Sequence, residues 1–128
     1  MNKREKGNYF EELACRHLEE NGAQILFRNY RCRSGEIDII AKDGRYISFI
    51  EVKYRTGTKF GVAEAAVDLR KQKTICRVSD FFRKQNKLTA DTAQRFDVVA
   101  MMQDGDGIVH IKWHKNAFTY IPLKKAFY

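Results

Sequence analysis

Acidic residues sit inside two segments that otherwise read as core-bound β-strands, and few architectures accommodate that. The segments are Gly35-Glu36-Ile37-Asp38-Ile39-Ile40 and Phe49-Ile50-Glu51-Val52-Lys53. Alternation along a strand puts Glu36 and Asp38 on one face and Ile37 and Ile39 on the other. By the same rule Glu51 and Lys53 point together, and Ile50 and Val52 point away. Asp43-Gly44-Arg45 between the two runs is a turn signal, so the strands are expected to pair antiparallel. Asp38, Glu51 and Lys53 then converge on one side of a hairpin.

Two carboxylates and an amine on stiff strands suit a divalent cation and a phosphodiester. Phosphodiesters resist hydrolysis because their charged oxygens repel hydroxide and the alkoxide leaves poorly. Asp38 and Glu51 are the candidate ligands for Mg²⁺ or Mn²⁺, with the carbonyl of Val52 as a third oxygen. Lys53 is the candidate to orient or deprotonate the attacking water and to offset developing charge. Glu11 can reach the same place from a preceding helix, through water or as an orienting group. Lys71 and Gln72 are candidates to grip the scissile phosphate or the water.

The remaining chain frames this centre. Apolar residues at three- and four-residue spacing (Phe10, Leu13, Ala14, His17, Leu18) predict a helix over 8–21 that stops at Gly22, with Glu11 at the stripe's margin. Strands are expected over 25–33, 36–42, 46–55, 95–102 and 108–114. A loop covers 56–61, and a second helix runs from about Ala63 to Asn86 with Ile75, Val78 and Phe82 inward. A polar loop over 89–94 and a closing segment over 116–128 complete the chain. The order predicts one α/β domain over 1–128, with helices flanking a mixed five-stranded sheet.

Lys and Arg number 24 against 16 Asp and Glu, a net charge of +8 that favours a polyanionic partner. Arg28, Arg31, Arg33, Arg55 and Lys59 lie near the proposed centre in sequence and are candidates to track phosphates, with Lys71. Tyr54 and Phe60 are readable either as base-stacking groups or as core. Arg95 and Asp97 read as a fold-maintaining ion pair. Neither a secretory signal nor a membrane-length apolar run is visible, and Cys15, Cys32 and Cys76 lack metal-ligand spacing. A cytoplasmic protein with reduced thiols follows.

The residues carrying this reading also form an ordered set of motifs. They are Gly7-x-x-x-Glu11-x-x-Ala14, Gly35-Glu36-Ile37-Asp38, Phe49-Ile50-Glu51-Val52-Lys53-Tyr54-Arg55, Gly61, Lys71-Gln72, Arg95-Phe96-Asp97-Val98-Val99 and Asn116-Ala117-Phe118. In this order the chain resembles, over roughly residues 7 to 118, the YraN family of small bacterial proteins. That family belongs to the PD-(D/E)XK nuclease superfamily and stands close to the archaeal Holliday junction resolvases. The resemblance implies a restriction-endonuclease-like fold and a metal-dependent site at Asp38, Glu51 and Lys53. It matches Glu11 to the acidic helix position and Gln72 to a glutamine of related nucleases. The superfamily's Pro-Asp pair is Ile37-Asp38 here, which keeps the carboxylate.

No groove-reading motif is visible, so recognition by backbone and shape is expected, with branched DNA a candidate by analogy. A symmetric junction needs two cuts, hence an expected homodimer. A non-catalytic nucleic-acid-binding adaptor and an RNA-directed nuclease remain open alternatives.

Overall fold

The computed structural model describes residues 1–57 and 67–124. Helix α1 spans Lys3–Glu20 and starts well before residue 8. Its start is set by a capping box: the Asn2 side chain accepts from the Glu5 amide, and the Glu5 carboxylate accepts from the Asn2 amide. Strands β1 (Gln24–Cys32), β2 (Gly35–Asp43) and β3 (Tyr46–Thr56) follow. Helix α2 spans Leu69–Gln85, and β4 (Ala93–Gln103) and β5 (Val109–Phe118) complete the sheet. Strand β5 therefore runs past His114 and includes Asn116, Ala117 and Phe118.

The five strands lie in chain order, β1-β2-β3-β4-β5. All neighbours pair antiparallel except β3 and β4, which are parallel. A parallel pair requires a crossover, and α2 lies within it. This is the mixed, helix-flanked sheet of a restriction-endonuclease-like fold, as the sequence predicts.

Each helix covers its own core. Phe10, Ala14, Cys15 and Leu18 of α1 pack with Ile39, Ala41, Ile50, Val99 and Met101. Ile75, Cys76, Val78 and Phe82 of α2 pack with Ile37, Ile40, Phe49, Phe96 and Val98. With apolar cover for both faces, β4 is buried continuously from Phe96 to Met102.

Two sequence expectations need correction. Val67 and Asp68 are not helical; Asp68 is the extended N-cap of α2 and accepts from the Lys71 amide. Ile37 and Ile39 do not share a face, since one joins the α2 core and the other the α1 core. The β2–β3 ladder ends at Ile39 opposite Ile50, so the start of β2 is released from that partner. The β1–β2 register sets Asn29 opposite Asp38, and Asn29 adopts a left-handed φ of 52°. Alternation therefore breaks at the proposed acidic residue itself.

Gly35 opens β2 with φ +148°, and a Cβ there would lie 2.6 Å from the Thr74 side chain. Only glycine lets the β1–β2 turn approach α2 this closely.

Candidate active site

Continuing the β2–β3 register one step past Ile39–Ile50 sets Asp38 beside Glu51, where regular pairing has stopped. The freed Val52 amide donates instead to Asp38 Oδ2 at 2.8 Å. Burial pushes the Asp38 carboxyl up to about 7, and the charge of Glu51 adds to the effect. The Val52 amide and Lys71 oppose the rise, and Glu11 contributes to it.

Glu51 is only 7% exposed. Its Oε1 lies 3.4 Å from Lys53 Nζ, so the two side chains do point together. Its Oε2 is buried without a hydrogen-bond partner among the described residues. Ile50 and Val52 pack toward the α1 core, as alternation along β3 requires. The backbone thus brings Asp38, Glu51 and Lys53 to one locality.

Glu11 is held beside this locality by β1. Arg28 Nε donates to its Oε1 at 3.2 Å and Asn29 Nδ2 at 2.8 Å. Gln72 Nε2 donates to the Val67 carbonyl at 2.9 Å, tying the start of α2 to the preceding backbone. Of the phosphate-tracking candidates, Arg28 is engaged with Glu11 and Glu12, and Arg31 pairs with Glu36 at 2.9 Å. Arg33 and Arg55 are exposed. Lys59, with Phe60, Gly61 and Ala63, lies outside the described residues. The Tyr54 ring stacks on Phe10 at 3.8 Å and carries Lys6 at 4.9 Å.

No group of three or more His, Cys, Asp or Glu side chains suited to a metal occurs among the described residues. Mg²⁺ does not demand one, because it retains several waters and takes one or two carboxylates. A buried carboxylate oxygen without a donor, next to a second carboxyl raised by burial, is a donor set that such a hard cation fits. Magnesium or manganese there would be held by Asp38 and Glu51.

Asp38 and Val52 also line a cleft of about 490 Å³ whose other wall is the start of α1. Lys3, Arg4 and Lys6 stand on that wall. Sequence reasoning gave them no role because apolar spacing begins the helix at residue 8. The signal that could have found them is Asn2-x-x-Glu5, a capping-box spacing.

Comparison with known proteins yields one family. The model described as "Uncharacterised protein family UPF0102" matches residues 10–101. A UPF0102 protein of Lachnoclostridium phytofermentans is 44% identical over 118 residues, covering 92% of this chain and 96% of the relative. One of Caldicellulosiruptor saccharolyticus is 44% identical over 119 residues, covering 92% and 100%. One of Aliivibrio fischeri is 40% identical over 120 residues, covering 93% and 95%.

Proposed function

The chain belongs to the uncharacterised protein family UPF0102, the YraN family, and on its nuclease-like fold we propose a metal-dependent endonuclease. Its substrate is DNA, selected by structure rather than base sequence, with branched or junction DNA foremost. The observation that carries this reading is the buried Oε2 of Glu51, without a partner among the described residues, beside the Asp38 carboxyl. Leaving such a group unsatisfied costs about 1–3 kcal/mol, which favours a role in binding over one in folding.

Asp38 and Glu51 hold Mg²⁺ or Mn²⁺, with the carbonyl of Val52 as a further oxygen. The ion, when bound, supplies charge neutralisation at the phosphate and lowers the pKa of water. The Val52 amide fixes the orientation of Asp38. Lys53, paired to Glu51, orients the attacking water and offsets charge on the phosphoryl oxygens. Glu11, clamped by Arg28 and Asn29, orients groups at the site's margin. Lys71 steadies the phosphate, with Gln72 positioned beside it, while Arg31, Arg33, Arg55 and Lys59 contribute longer-range attraction. Two copies acting together would make the paired cuts of a symmetric junction.

The test is incubation of the purified protein with either metal and labelled four-way junction, flap, single-stranded DNA and RNA. Cleavage of a branched DNA, lost by about 10²-fold or more in Asp38→Ala and Glu51→Ala with binding retained, is the expected result. Tight binding without cleavage under both metals would replace the enzyme with an adaptor, and preferential RNA cleavage would replace the substrate.

A further inference from the structure

The buried stripe of α1 runs Leu18, Ala14, Phe10, and three- and four-residue steps carry it on to Gly7 and Lys3. At Gly7 the packing ends: a Cβ placed there would meet no atom of the described residues within 4 Å. Glycine is the poorest helix former after proline, and here neither a turn nor a close neighbour among the described residues accounts for it. Gly7 nevertheless lines the cleft that contains Asp38 and Val52.

One cation on this wall, Lys6, is placed rather than merely near. It lies over the Tyr54 ring at 4.9 Å, and Phe10 stacks on the same ring. The Tyr54 hydroxyl donates to Gln103 at 3.1 Å, which fixes the ring in turn. Tyr54 thus meets two α1 side chains one turn apart, and it positions the Lys6 ammonium at the cleft. Lys3 and Arg4 flank Lys6 on the same wall. The β1 arginines that sequence favoured are drawn instead into carboxylate pairs, Arg28 with Glu11 and Glu12, and Arg31 with Glu36.

We infer that Gly7 together with Lys3, Arg4 and Lys6 forms a seat for the phosphodiester backbone of one nucleic-acid strand passing over Asp38. The missing side chain at Gly7 lets the backbone approach the helix closely, and the three cations neutralise successive phosphates without reading bases. This deepens the endonuclease reading and rests on it for the direction in which the strand meets Asp38.

Binding measured in EDTA, where a metal-dependent cleavage is silent, separates the two. The probes are a labelled oligothymidylate of about 20 nucleotides, an abasic strand of equal length and a blunt duplex. Gly7→Ala is expected to raise the melting temperature of the protein yet weaken binding of the strand by about threefold or more. Lys3→Ala/Arg4→Ala/Lys6→Ala is expected to lose about tenfold or more and to flatten the log Kd against log salt slope by about 2. Arg31→Ala/Arg33→Ala should lose less than the α1 set. Comparable affinity for the abasic strand supports backbone recognition, and the duplex shows whether a free or a paired strand supplies that backbone.

Gly7→Ala stabilising the fold with affinity untouched overturns the inference. An abasic strand binding about tenfold more weakly, or no binding by the wild type at about 50 mM salt, does the same. Binding as expected with no cleavage under Mg²⁺ or Mn²⁺ removes the hydrolase and leaves the seat.

Discussion

Two groups of acids in the same sheet, each with one member on β2, meet opposite circumstances. Asp97 is wholly buried, yet its oxygens accept from Ser48, Arg95, the Trp113 indole and the Asn116 amide. Arg95 continues to Asp43, which Lys115 also reaches at 2.9 Å. Partial burial pushes the Asp43 carboxyl up, but Lys115 and Arg95 outweigh it and hold it below the usual range. Asp38 has the Val52 amide and is raised to about 7, and Glu51 keeps an oxygen with no partner among the described residues. Burial alone does not distinguish the two groups. The supply of donors does, and the group left short of them is the candidate for binding something.

The sharpest way to break this contrast is Asp97→Ala. It strands Arg95 and several donors, so urea unfolding should show a loss of about 3–5 kcal/mol. A loss below about 1 kcal/mol would mean the network is ornamental and the contrast empty.

Asp38→Asn should move the other way. The folded carboxyl titrates near 7 and an unfolded aspartate near 4, so between these values the folded state holds a proton that the unfolded state has released. Without metal, stability from this group is therefore greatest below about pH 4, declines toward pH 7 and is flat above. Asparagine cannot ionise, and the variant should recover up to roughly 4 kcal/mol at pH 8. Unfolding curves for both proteins across pH check this; parallel curves would refute it.

Much of this contrast was legible in the chain, though unevenly. The alternation of Phe49-Ile50-Glu51-Val52-Lys53 placed the β3 acid and ammonium together, because a central strand has little freedom to do otherwise. The Arg95–Asp97 pair was likewise readable from local spacing. The break at Asp38 was not, since it depends on where the β2–β3 ladder stops and on Asn29 across the strand. Nor could local pattern foresee that Glu11 would be clamped from β1, or that Ser48 and Trp113 would converge on Asp97 from different strands. The early start of α1 and the Asp68 cap were available as capping signals that apolar periodicity does not register.

A smaller effect sharpens the comparison from the metal side. Mg²⁺ or Mn²⁺ at about 100 times its Kd should stabilise the wild type by about 2.7 kcal/mol, read as a rise in melting temperature. Asp38→Asn should show little of that rise, and Asp97→Ala should keep it. Equal stabilisation of wild type and Asp38→Asn would move any cation elsewhere.

The smallest effect belongs to Arg31→Ala. Its partner is Glu36, and the arginine side chain is 73% exposed, so solvent screens the pair. Calorimetry should register about 0–1 kcal/mol, which would set exposed pairs apart from both buried groups.

One strand carries a member of each group. From Asp38 to Asp43 is five steps along β2, roughly 17 Å of extended backbone. Arg95 and Lys115 grip the far terminus of that length, which gives the strand a fixed datum from which the position of Asp38 is measured. Loosening the grip would let the whole rod slide or tilt. A lesion at Asp43 would then reach the Asp38–Glu51 locality as a misplaced oxygen rather than a missing one.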